Sequence, residues 1–218
     1  MMKLNYSLCT FFIILAIISF LHAKQPLEKP TTFAYSIYYH DNSCNQQSIS
    51  AIEIYPVYGQ NGTCFQNFES SSHFKYMKAV CGKDSATIYT YCVDSNCQYC
   101  DAVYDWKFHK NECGMQNVGC GNIPQLVVPL LYTYSFEYID AENSCSGNLV
   151  SIAGEDVNYC EQVTGKEFER VSCNQTTWTR SYYLKDESCS ANSFTYSLNG
   201  RTNVCKDHSM LTCGKVLQ

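Results

Sequence analysis

The chain has 218 residues, 15 basic side chains against 20 acidic ones, and a net charge of −5. An acidic chain without basic clusters is a poor partner for nucleic acid or an anionic membrane surface. Its 15 cysteines point to an oxidised, disulfide-framed fold in place of a large apolar core.

The first element is a targeting segment. Lys3 precedes an almost unbroken apolar run from Leu8 to Leu21, and Ala23 is followed by polar Lys24 and Gln25. This reads as a secretory signal peptide over residues 1–23. The run is shorter than the roughly 20 residues a membrane span needs. Cleavage removes Lys3 and leaves 14 basic against 20 acidic residues, and it also removes Cys9. Fourteen cysteines then remain, an even number, as expected if every thiol is paired. No later apolar run is long enough to span a membrane, and Cys213 to Gln218 has no hydrophobic tail of the kind a lipid-anchor signal requires.

Residues 24–32, with Pro26 and Pro30, read as a flexible lead-in. A first cysteine-rich module is expected over residues 33–122. Phe33–Tyr39 is aromatic and β-branched and runs into an Asp-Asn-Ser turn. Ser48–Tyr55 is a second strand with irregular alternation, and Gly59–Gly62 is a turn. Phe74–Val80, Thr87–Val93 and Ala102–Phe108 are further strands. The last places Tyr104, Trp106 and Phe108 on one face.

Residues 123–133 hold Pro124 and Pro129 and no cysteine, and read as an apolar connector in which the prolines disfavour an interior strand. A second module follows over residues 134–218. Tyr134–Asp140 echoes Tyr35–Asp41, and Asn143-Ser-Cys145 echoes Asn42-Ser-Cys44. Glu161–Val171 is the best candidate for a short helix. Asn199-Gly200 reads as a hairpin turn joining Phe194–Leu198 to Arg201–Cys205.

The two modules share a cysteine rhythm. Cys81, Cys97 and Cys113 are spaced 16 and 16, and so are Cys173, Cys189 and Cys205, 92 residues further on. The 33 positions aligned this way hold eight identities, Tyr104 on Tyr196 among them, where composition alone would give about two. The expected fold is therefore mostly β, with two tandem disulfide-rich modules related by internal duplication. Cys44, Cys64 and Cys120 correspond in the same way to Cys145, Cys160 and Cys213. Cys92 and Cys100 have no counterparts, because Leu184 and Asn192 stand there. Their joint absence predicts a Cys92–Cys100 bond. Six cysteines per module otherwise allow 15 connectivities, which sequence does not distinguish.

The constellations that could carry chemistry are sparse. Cys97-Gln-Tyr-Cys100 has the spacing of a metal or redox motif, but the second module keeps only Cys189. No metal or other cofactor is expected. The secreted chain has four histidines, His40, His73, His109 and His208, and no G-x-S-x-G elbow. Glu155-Asp156 and Asp186-Glu187 are adjacent pairs that a strand would send to opposite faces. Asp94 and Asp186 read as turn formers. Asn61-Gly-Thr63 and Asn174-Gln-Thr176 are N-glycosylation sequons at turns. The expectation is a secreted extracellular glycoprotein that binds a protein, a cell surface or a glycan and does no catalysis of its own. Trp106 and Trp178 serve as contacts or as core in that reading. An extracellular hydrolase using His40 or His109 is one alternative, and a disulfide-linked matrix or coat protein is another.

Overall fold

A computed structural model describes residues 29–42, 44–67, 75–108, 114–123, 125–126, 128–138 and 144–214. The signal segment, His73, His109 and Cys113 lie outside these residues. Among the described residues the protein is mostly β, and its only helical pieces are the short 3-10 turns Gln46–Ser48 and Ala191–Ser193.

The first half contributes β1 (Thr32–Tyr39), β2 (Ile49–Val57), β3 (Phe65–Asn67), β4 (Lys75–Cys81), β5 (Ser85–Cys92), β6 (Cys100–Lys107) and β7 (Gln116–Gly121). The second contributes β8 (Leu130–Phe136), β9 (Leu149–Asp156), β10 (Cys160–Thr164), β11 (Glu167–Cys173), β12 (Thr177–Leu184), β13 (Phe194–Arg201), β14 (Cys205–Lys206) and β15 (Ser209–Gly214). Seven strands form one sheet in the order β14-β15-β8-β9-β2-β1-β7. The remaining strands form two four-stranded meanders, β3-β4-β5-β6 and β10-β11-β12-β13.

Apart from the short β14, the large sheet reads the same from either end. Each half supplies a three-strand unit, and the units meet where β2 pairs antiparallel with β9. The registers match as well. Tyr39 faces Ile49 across a bulge that leaves Ser50 over, and Phe136 faces Leu149 across one that leaves Val150 over. Ile49 thus corresponds to Leu149 and Glu53 to Ala153. Glu53 and Ala153 are themselves partners across the β2–β9 seam, so the approximate twofold axis passes through them. The bulge also accounts for the irregular alternation of β2, because the extra residue returns Ile49 to the face of Ile52 and Ile54.

Both faces of the large sheet are covered. One carries a core of Ile37, Tyr39, Ile49, Ile52 and Ile54 from the first half and Leu130, Tyr132, Tyr134 and Ile152 from the second, joined by Leu126 of the connecting segment. On the other face the meanders pack separately. Ala34 and Val57 meet Ala79, Ala86 and Ile88, while Leu131 and Val157 meet Val171. A fully buried leucine or isoleucine contributes about 1.5–3 kcal/mol. The shared core therefore binds the halves together more strongly than a flexible connector would.

Several expectations change. Thr31 and Thr32 belong to the sheet, since Thr31 donates through its backbone N–H to Val57 O at 2.8 Å and β1 starts at Thr32. Leu130–Thr133, expected in the connector, open β8, an interior strand that Pro129 precedes without entering. The helix expected over 161–171 is the β10–β11 hairpin, turned at Gly165 with φ +52°. Its apolar residues suit either period, and the glycine decides. The hairpin expected at Asn199-Gly200 is absent, and β13 runs straight through both residues. Gly200 is there because the Trp178 indole crosses it. A Cβ at Gly200 would lie 2.6 Å from Trp178 Nε1. Finally, Ile88 pairs with Tyr104 and its counterpart Arg180 pairs with Leu198. Tyr104 therefore occupies the place of Leu198, two residues from the Tyr196 that equal cysteine spacing assigns it.

Six disulfides are described. Cys64–Cys97 matches Cys160–Cys189, and Cys81–Cys120 matches Cys173–Cys213. Cys145–Cys205 belongs to the second half, and Cys92–Cys100 spans neighbouring strands β5 and β6. Cys44 is also disulfide-bonded. In the chain-entropy model, loops of the 29 to 60 residues closed by the longer bridges contribute about 4 kcal/mol each.

Candidate functional site

In the first half, the inner face of the β4–β5–β6 meander stands off the middle of the large sheet and leaves a cleft of about 380 Å³. Its floor is Glu53 and Tyr55 of β2, flanked by Tyr38 of β1 and Ser151 of β9. Met77, Thr90, Tyr104 and Trp106 form the opposing wall, with Lys75, Tyr76 and Tyr91 at the rim. Strand periodicity explains the grouping. Glu53 and Tyr55 share the face of β2 that looks away from Ile52 and Ile54, and alternate residues of β6 supply Tyr104 and Trp106.

Glu53 is half-buried. Tyr38 Oη donates to its Oε2 at 3.4 Å, and among the described residues it pairs with no cation. Burial pushes its acid above the ordinary carboxylate range, an effect the tyrosine hydrogen bond only partly offsets. Burial also raises the phenols of Tyr55 and Tyr38. Thr90 Oγ1 is buried at the wall without a hydrogen-bond partner. Lys75 is held at the rim, with its ammonium 4.6 Å from the Tyr91 ring centroid and 3.8 Å from Asp101 Oδ2.

The matching place in the second half is filled from within. Arg180 replaces Ile88 and reaches the position of Tyr55, now Glu155, where its Nη2 donates to Oε2 at 2.7 Å. Its Nη1 lies 3.6 Å from Glu169, which stands in the position of Met77. Burial holds Glu155 above the ordinary range even with Arg180 beside it. The two carboxylates hold the Arg180 guanidinium in its charged form against the cost of burial.

The residues singled out in the sequence fall in other places. His40 Nε2 lies 3.1 Å from Asp156 Oδ2, and its ring stacks on Tyr159 at 3.6 Å. This contact clasps the two halves outside the cleft. No hydroxyl or thiol is hydrogen-bonded to the His40 ring among the described residues. His208 is buried with its ring 4.8 Å from Tyr138. Glu155 and Asp156 diverge, one to Arg180 and the other to His40. Cys97 and Cys100 belong to two different disulfides, and no cluster of metal-binding side chains occurs among the described residues. Asp94 is a turn residue whose carboxylate accepts the N–H groups of Tyr99, Gln98 and Asn96, and these bonds lower its acid. Asp186 is lowered chiefly by the hydroxyls of Ser188, Ser190 and Ser193. Asn61 and Asn174 are exposed in turns. Asn174 Oδ1 accepts from the Thr176 N–H at 2.8 Å and from its hydroxyl at 3.0 Å.

Sequence reasoning missed Glu53, Thr90 and Ser151 as site residues. The signal for Glu53 was present, a lone carboxylate between Ile52 and Ile54 in an otherwise apolar strand. Thr90 and Ser151 carry no local signal, because their place follows from strand pairing. No family model matches the chain, and no curated protein or solved structure matches it either. No helix among the described residues is long and apolar enough to cross a membrane.

Proposed function

We propose that the protein is a secreted, N-glycosylated binding protein of two modules, β1–β7 and β8–β15, derived by duplication of one unit. It takes a small ligand in the cleft over Glu53 and has no catalysis of its own. The observation that carries this reading is the cleft itself, a concave site with aromatic walls and a few converging polar groups, where the other half places the Arg180 ion-pair cluster. Matching strand order, bulges and disulfides support the duplication. The signal segment and the bonded state of all 13 described cysteines support secretion. That same bonded state leaves no described thiol for cross-links in a coat or matrix.

Expression of the full chain in a eukaryotic secretory host tests the reading. The expected product is released into the medium, starts at Lys24, has no free thiol and loses mass at Asn61 and Asn174 on deglycosylation. A fragment screen followed by NMR should then place hits at Tyr38, Thr90 and Tyr104. Retention in the cell, or hits only elsewhere, contradicts it. One observation favours a hydrolase as the second reading, the His40–Asp156 pair. Hydrolysis of generic ester or glycoside substrates that is lost in His40→Ala would establish it.

A further inference from the structure

We propose that the cleft of the first half binds a small organic ammonium ion, with Glu53 as its counter-ion and the tyrosine and tryptophan faces as its walls. The inference rests on reading the cleft as a ligand site. Three observations carry it.

Glu53 is a half-buried carboxylate without a cationic partner among the described residues. A protein gains nothing in stability from such a group, because desolvating the charge is not repaid by an ion pair. A bound cation would supply the missing partner. The walls have the matching chemistry. Aromatic faces attract ammonium groups, and the rim already shows this, with Lys75 over Tyr91 at 4.6 Å.

The third observation is the other half. At the corresponding place the chain supplies its own cation, Arg180, seated on Glu155 and Glu169. The tyrosines Tyr182 and Tyr196 stack beside it with ring centroids 4.5 Å apart. The fold thus has room at this place for a cation bound by carboxylates. In the first half Ile88 replaces the arginine, and the space is left open. A volume of about 380 Å³ admits a compact amine.

The test is calorimetric titration of the secreted full chain with 2-phenylethylamine, with its neutral analogue 2-phenylethanol and its anionic analogue 3-phenylpropionate as comparisons. NMR would map each site. The amine should bind at the cleft, the alcohol about ten-fold or more weakly, and the acid not measurably, as loss of a charge-assisted contact dictates. Glu53→Gln should reduce amine affinity by a similar factor without lowering its thermal midpoint, and Tyr104→Leu should reduce it several-fold. Nα-acetyl-lysine methylamide extends the series. Binding tighter than the free amine would assign the cation to a side chain of a partner protein, and weaker binding would assign it to a free metabolite. Equal binding of amine and alcohol at the cleft, unchanged in Glu53→Gln, overturns the cation but leaves the cleft as a ligand site. No shift at the cleft with any probe overturns both.

Discussion

The two halves build the same strands in the same registers, but they treat one place in opposite ways. In the second half Arg180 fills the space between meander and sheet and is held by Glu155 and Glu169. In the first half Ile88 is buried with Ala34 and Val57, Tyr55 and Met77 replace the carboxylates, and Glu53 lines the cleft. The axis between the halves passes through Glu53 and Ala153, so the carboxylate on the axis belongs to the open side alone. Two halves can share a frame while the chemistry carried at one position differs, and the part common to both here is the disulfide frame.

The frame gives the largest expected effects. Cys81–Cys120 and Cys173–Cys213 close loops of nearly equal separation, 39 and 40 residues. Replacing either pair by serine should cost about 2–5 kcal/mol, and the two costs should be similar. Because the core of Ile52, Ile54, Tyr132 and Ile152 spans both halves, calorimetry should show one unfolding transition, and each loss should shift all of it. Two separate transitions would break the comparison, since the halves would then be independent. Peptide mapping should also join Cys44 to Cys113, by correspondence with Cys145–Cys205.

Next in size is the plug. Arg180→Ala leaves Glu155 and Glu169 facing each other without a cation. For a partly exposed pair the loss should be about 1–2 kcal/mol in denaturant unfolding at neutral pH. Millimolar ethylguanidine should restore part of it in the variant and none in the parent. A variant as stable as the parent would mean that Arg180 is a surface decoration, and the contrast between the halves would lose its basis.

Gly200→Ala tests a smaller difference. The first half pairs Ala86 with Trp106, and the second pairs Trp178 with Gly200, so the indole comes from the opposite strand. A methyl at Gly200 meets the Trp178 ring and should cost about 1–3 kcal/mol by overpacking, while Ala86→Gly should cost less. Thermal midpoints of the two variants measure this.

The smallest effect has the sign that marks a functional group. Burial raises Glu53, so the folded state holds its proton more tightly than the unfolded chain does. The titratable groups lining the cleft around it are Tyr38, Tyr55, Lys75, Tyr76, Tyr91 and Tyr104. Its contribution to stability is fully present below the ordinary glutamate range and is lost as pH rises through the lifted value. Glu53→Gln should therefore be as stable as the parent or slightly more so at neutral pH, by up to about 1 kcal/mol, and the difference should vanish in acid. Asp94, lowered by the Tyr99 and Gln98 N–H groups, works in the opposite direction. Its contribution is present above the ordinary aspartate range and is lost as pH falls. Urea unfolding of Glu53→Gln and Asp94→Ala across that range should give slopes of opposite sign.

Much of the strand pattern was legible because it is local. Phe33–Tyr39 and Ala102–Phe108 carry the period and composition of strands, and both fall within β1 and β6 to within two residues. The failures lie where tertiary contacts override local signals. Asn199-Gly200 looks like a turn until Trp178 needs the glycine. Residues 161–171 look faintly helical until Gly165 turns the chain. The cleft was less legible than the strands, because it draws residues from β1, β2, β4, β5, β6 and β9. The seam that brings Ser151 to Glu53 depends on a pairing between halves that equal cysteine spacing does not contain. The same spacing concealed the two-residue offset between Tyr104 and Tyr196, which only the β5–β6 and β12–β13 registers reveal.

The most direct measurement is an amide NMR titration of the purified protein with 2-phenylethylamine. The account predicts saturable shifts confined to the cleft lining, Glu53, Tyr55, Thr90 and Tyr104 among them, with Glu155, Glu169 and Arg180 unmoved. Shifts centred on the Arg180 cluster, or matched shifts in both halves, would contradict it.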